Sequence, residues 1–168
     1  KFYSPVSGKI VQKHEVADVV DFIKKLPDEA RGLVLIPFNK KHIERPFEQE
    51  LNILLQKGYT RLWWKEEVLR IEDLISEPSP KRDEALRQKG YILIDRFVLP
   101  MADESDWMRL ADSINTSFYE SEGECVIQVL ESDGKKQPAP MIFNNRFELD
   151  GIVFPEPTPQ LFNYNNPY

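Results

Sequence analysis

The sequence predicts an α+β domain, with a mixed, mostly antiparallel sheet and about three helices packed on it. Three observations carry that expectation. Short apolar runs rich in branched residues recur at 32–38 (GLVLIPF), 91–99 (YILIDRFVL) and 124–130 (ECVIQVL), each of strand length. Other stretches repeat their apolar residues every three or four positions, as a half-buried helix does. The stretch Gly58–Leu74, GYTRLWWKEEVLRIEDL, alternates like a strand, turns through charged residues and runs back. Over 168 residues the chain is 41% hydrophobic and 30% charged, enough to bury a core.

Residues 1–12 hold Pro5 and Gly8 and read as an extended, turn-rich lead-in. Glu15–Leu26 sets Val16, Val19, Val20 and Ile23 on one helical face, and Pro27 ends it. His14 reads as an exposed side chain of the capping region. Gly32–Phe38 is a buried strand, and Asn39–Arg45 a polar loop carrying His42. Pro46 suits the first turn of a second helix, whose face is Phe47, Leu51, Leu54 and Leu55. Gly58 fits the left-handed position after it. If Tyr59–Trp64 is a strand, Tyr59, Arg61 and Trp63 share one face, and Thr60, Leu62 and Trp64 the other. Lys65–Glu67 then forms the turn and Val68–Ile71 the return strand.

Ser76–Gln88 reads as a loop, with a short helix from Pro80 to Lys89 capped by Ser79. Tyr91–Leu99 is the strongest strand, and its Asp95-Arg96 pair lies at an exposed end or is ion-paired. Ser105–Gly123 is the longest helix, with Trp107, Leu110, Ala111, Ile114 and Phe118 in one stripe. A strand follows at Glu124–Leu130, then a turn at 132–136. Met141–Phe147 reads as the last regular strand, and Glu148–Tyr168 as irregular.

The composition excludes several functions. A net charge of −6 argues against a dominant nucleic-acid surface. A single cysteine, Cys125, permits no internal disulfide and suits a reducing, cytoplasmic setting. Apolar runs fall short of the ~20 residues of a membrane span. The sequence shows no Walker-type phosphate loop, and two histidines with one cysteine make no zinc site. The clusters Glu48/Glu50, Glu66/Glu67 and Glu120/Glu122/Glu124 show no acid–base partner pattern, so the chain does not read as an enzyme and implies no cofactor of its own. The chain opens KFYSPVSG without Met and stops in FNYNNPY, as a segment of a longer protein does. What remains is the Trp- and Arg-rich strand. It touches a partner, or it packs one tryptophan in the core and solvates its charges. A nucleic-acid surface of Lys57, Arg61, Trp63, Trp64, Lys65 and Arg70 is the rival to a protein-docking surface.

The tail FNNRFELDGIVFPEPTPQLFNYNNPY resembles the passage of UvrA proteins, the ATPase subunits A of the bacterial excinuclease, that leads into their first zinc module. Three further passages are similar in the same order. LQKGYTRLWWKEEVLRIEDL matches a Gly-Tyr/Phe-x-Arg phrase, GYILIDRFVL a Val-Val-Asp-Arg strand, and RLADSINTSFYESEG an Arg-Leu-Ala-Asp/Glu-Ser helix. The resemblance implies a UvrB-binding domain at residues 13–136. It also implies arms at 1–12 and 137–168 belonging to the first ATP-binding domain. Such proteins are homodimeric ATPases that find damaged DNA and load UvrB in nucleotide excision repair, with ATP and zinc as cofactors outside this segment. The family's Cys-Pro-x-Cys pair is replaced here by residues 147–154, FELDGIVF, so a zinc module of the usual form is not implied. The matched positions imply that Arg61 and Arg96 contact acidic groups of UvrB. Tyr59 and Trp63 then supply apolar contact, and Asp95 orients Arg96 or meets a basic residue of the partner. The family's second arginine in the first phrase is Trp63 here.

Overall fold

The computed structural model describes residues 2–3, 10–11, 13–38, 45–131, 137–149 and 152–154. The elements in chain order are β1 (Phe2–Tyr3), β2 (Ile10–Val11), α1 (Val16–Lys24), β3 (Arg31–Pro37), α2 (Phe47–Gln56), β4 (Arg61–Trp64), β5 (Glu67–Arg70) and α3 (Ile71–Ser76). Then come α4 (Pro80–Lys89), β6 (Tyr91–Val98), α5 (Glu104–Glu120), β7 (Glu124–Val129), β8 (Met141–Asn144), β9 (Phe147–Leu149) and β10 (Ile152–Phe154). Six strands form one sheet in the order β5-β4-β6-β3-β7-β8, and all its pairings are antiparallel. The pairs β1–β2 and β9–β10 stand apart from it.

The described helices number five where about three were expected. Beyond the three helices expected from their apolar faces stand Pro80–Lys89, expected as a short helix within a loop, and the unexpected Ile71–Ser76. This helix is one and a half turns long, too short for a stripe, and buries Ile71 and Leu74. Pro80–Lys89 is helical as expected, although the Ser79 side chain makes no cap hydrogen bond. The strand expected at Met141–Phe147 ends at Asn144 and is not the last: Phe147 starts a separate hairpin, whose second strand lies in the stretch expected to be irregular. The loop expected at Asn39–Arg45, with His42, lies almost entirely outside the described residues.

All five helices pack on one face of the sheet. Ile36, Ile92 and Leu62 point to α2, α3 and α4, meeting Leu51, Leu54, Ile71, Leu74 and Leu86. Val34, Cys125 and Ile127 point to α1 and α5, meeting Val19, Ile23, Leu110, Ile114 and Phe118. The opposite face carries a smaller cluster of Leu33, Leu35, Trp63 and Val126, with no helix over it among the described residues. At its β7 side, the Gln128 side-chain amide donates to the Pro138 carbonyl (2.9 Å).

His14 is not a free capping residue. Its N–H donates to the Asn144 carbonyl (2.8 Å), its Nδ1 accepts from the Asn144 N–H (3.1 Å), and its ring stands edge-on to Phe143. Glu15 is the N-cap of α1, in a capping box with Asp18. The α5 N-cap is Asp103, whose carboxylate accepts from the Asp106 N–H. The Ser105 hydroxyl, then that N–H, hold the Asp103 carboxyl below its ordinary value. A lowered folded value means the cap stabilises above the unfolded carboxylate pKa of about 3.9 and fades as pH falls through the folded value. Asp103→Ala should therefore lower the melting temperature at pH 7 and leave it unchanged near pH 2, measured by thermal denaturation at both.

Cys125 lies fully buried under α5, where burial pushes its thiol up to about 12 despite a contact from Ser117. A thiol reagent at pH 8 should leave it unmodified in the folded chain and label it at the rate of unfolding. Rapid labelling without denaturant would contradict this packing.

Candidate functional site

The β4–β5 hairpin begins where Gly58, at φ +96, ends α2 and turns the chain. Its turn is Lys65-Glu66, both at positive φ (51 and 61). This two-residue turn with both residues left-handed matches the twist of the strands it joins. The turn is therefore one residue shorter than expected. The return strand is Glu67–Arg70, and Ile71 leaves it for α3. Leu62 is fully buried on the helix side, with Trp64 packed nearby and Lys65 Nζ 4.5 Å over its ring.

Arg61 and Trp63 face the helix-free side. Trp63 is buried in the small cluster there, so it supports that face from beneath rather than projecting from it. Tyr59 does not share their face. It precedes the strand and packs half-buried against the helix-side cluster. Burial, then the charge of Glu120, raise its hydroxyl above the ordinary value.

Asp95 and Arg96 are sorted by a bulge in β6. Leu93 packs against the helix-free cluster, so strict alternation would send Asp95 to that face and Arg96 into the core. The register shifts instead: Val34 faces Asp95 and Leu35 faces Leu93, leaving Ile94 as the extra residue. Ile94 and Asp95 both turn to the helix side, and Arg96 emerges opposite Leu33 on the open face. Asp95 accepts from the Ser113 hydroxyl (2.8 Å) and pairs with Arg109 Nε (3.3 Å), tying β6 to α5. Its other oxygen accepts from the Arg96 backbone N–H (2.8 Å).

The ladder between β4 and β6 holds only Leu62 opposite Ile92 and Trp63 opposite Tyr91. Beyond these pairs the strands separate. The opening is a groove of ≈ 200 Å³ lined by Gly58–Arg61 and Leu93–Arg96. Arg61, Arg96, Tyr59 and Asp95 thus meet along one groove, with Trp63 beneath the adjoining face. Among the described residues, the side chains of Arg61 and Arg96 make no ion pair or hydrogen bond, and both are exposed. Arg70, which the sequence groups with Arg61 in the rival nucleic-acid surface, lies on the same face. It sits directly opposite Arg61 in the hairpin register.

Four of the clustered carboxylates lie elsewhere. Glu50, Glu120, Glu122 and Glu124 line a cleft of ≈ 590 Å³ between α2 and α5. Glu50 Oε1 lies 3.0 Å from Arg45, and Glu120 lies 2.8 Å from Lys57 across the cleft. Glu50 and Glu120 are thus each held by a cation of the cleft wall. Among the described residues no helix is long and apolar enough to cross a membrane, and no three His, Cys, Asp or Glu side chains gather as metal ligands.

Among the described residues, a helix layer on one sheet face and two exposed, unpaired arginines at a groove have the character of a contact surface, which places the chain in the class of interaction modules. The model of the UvrA interaction domain matches residues 14–131. UvrABC system protein A of Rickettsia typhi is 30% identical over 99% of this chain and 17% of its own length. The same protein of Clostridium tetani is 29% identical over 100% of this chain and 17% of its own length, and that of Bradyrhizobium diazoefficiens 26% over 99% and 18%. The chain belongs to the UvrA family and carries its interaction domain. It spans about 17% of the length of the relatives it matches.

Proposed function

We propose that this chain is the module by which a UvrA protein docks UvrB during nucleotide excision repair. The observation that carries the proposal is the pair Arg61 and Arg96. Both guanidiniums are exposed, both lack an acidic partner among the described residues, and both line one groove beside a helix-free apolar face. A carboxylate brought by a partner gives each a forked, charge-assisted bond it lacks in the free chain. Residues 13–136 form the module in this reading. The flanking arms belong to the ATP-binding domain and lend β8 to the sheet edge. ATP hydrolysis, dimerisation and DNA damage recognition are properties of the parent protein.

The nucleic-acid reading needs exposed aromatic faces beside the basic residues. Trp63 is buried and Trp64 is packed toward the helices under Lys65, which supports the protein partner instead. The test is calorimetric titration of the chain with UvrB from the same organism, beside titration with single-stranded and duplex DNA. The expected result is micromolar or tighter binding to UvrB and none to DNA at physiological salt. A folded chain that ignores UvrB and binds DNA would overturn the proposal.

A further inference from the structure

Arg61 and Arg70 are directly opposite in the β4–β5 pair, so their side chains leave the same face of the hairpin. Like charges placed this way weaken a strand pair. Nothing in the hairpin relieves them well. Arg61 has no acidic partner among the described residues, and Arg70 reaches Glu72 only at 3.6 Å, with side chains 64% and 67% exposed. Such an exposed pair gives little in water. The next pair along the hairpin, Trp63 with Val68, is apolar, and Val68 is 46% exposed. The outer hairpin face therefore presents two adjacent guanidiniums beside an open apolar spot, at the edge of the sheet.

We infer that Arg70 is a third guanidinium of the docking surface, and that the Arg61–Arg70 pair is built to close on an acidic segment of the partner. The inference rests on the docking proposal and deepens it. A carboxylate seated between the two guanidiniums replaces repulsion with two attractions, so binding is favoured by the strain it removes. The apolar spot on Val68 fits a partner side chain flanking that carboxylate. A phosphate would meet the cations but has no use for Val68, and Trp63 is too buried to stack on a base. The occupant is therefore an acidic, partly apolar segment of UvrB.

The test combines stability with binding. Arg61→Gln, Arg70→Gln and the double variant remove charge without adding a helix cap at the residue preceding α3. Each single variant should raise the melting temperature by roughly 2 °C, and the double no further than either single. Arg70→Gln should weaken UvrB binding about tenfold by calorimetry. Arg70→Lys keeps the repulsion but loses the fork, so its melting temperature should match the parent and its affinity fall between the two. Unchanged UvrB affinity in Arg70→Gln, with binding still lost in Arg61→Glu, would overturn the inference and leave the docking proposal standing. A parent chain that fails to bind UvrB would overturn both. A DNA affinity lost in Arg70→Gln, with UvrB binding intact, would reassign the pair to phosphate. Lower melting temperatures in the single variants would remove the repulsion on which the inference stands.

Discussion

Arg61→Glu and Arg96→Glu should each weaken UvrB capture by a hundredfold or more. In the proposed docking, each replacement would remove a charged contact and set a like charge against the partner's carboxylate. Loss of one desolvated charge contact costs roughly 2–5 kcal/mol, and each 1.4 kcal/mol is about a factor of ten in affinity. The fold should not suffer, because both side chains are exposed and unpaired among the described residues. Circular dichroism should match the parent chain in both; Arg96→Glu should melt within about a degree of it, and Arg61→Glu above it, because the like-charge contact with Arg70 becomes an attraction. Combining the two reversals should cost less than the sum, because both residues line one groove and share a partner surface. Parent-like affinity in either single variant would remove that arginine from the interface.

Gly32→Val should destabilise the domain severely. The Phe97 ring lies across the Gly32 backbone, and a Cβ added there would sit 2.2 Å from Phe97 Cζ and within 3 Å of two more ring atoms. Phe97 is itself buried in the cluster under α1 and α5, so the ring has nowhere to move. Overpacking of this kind costs about 3 kcal/mol at the upper end of its usual range. For a chain of this size that is a fall of roughly 6–12 °C in melting temperature. Shortening the ring should recover part of the loss: Gly32→Ala with Phe97→Leu should melt above Gly32→Ala alone. A Gly32→Val chain that melts within a degree of the parent would contradict the packing of β3 against β6.

Much of this was legible in the sequence, and the failures have physical causes. β3, β7 and α5 were found because long apolar patterns report burial directly. The helix α3 was missed because six residues do not complete a stripe. The length of the turn is not legible in the sequence, because Lys65 and Glu66 adopt left-handed backbone that neither residue favours and only the register reveals it. At the site, the sequence marked Arg61 and Arg96 through their phrases, but the face of Arg96 depends on the bulge at Ile94. Period-two reasoning gives the wrong face for it, because a bulge changes parity without leaving a residue-type signature. Tyr59 was placed beside Arg61 by the same alternation, applied two residues before the strand begins. His14 was read as solvated because its partner, Asn144, lies far away in sequence and close in space.

That last contact reaches beyond local stability. His14 and Asn144 clasp each other through two hydrogen bonds, one in each direction. Everything between them is thus a loop whose two ends are pinned side by side. A longer chain carrying this loop needs to open no wider than a hairpin to accommodate it, so the module can be gained, exchanged or transplanted without stretching its host. For the engineer, the join to cut and graft is this clasp, and it should be carried across with both residues intact.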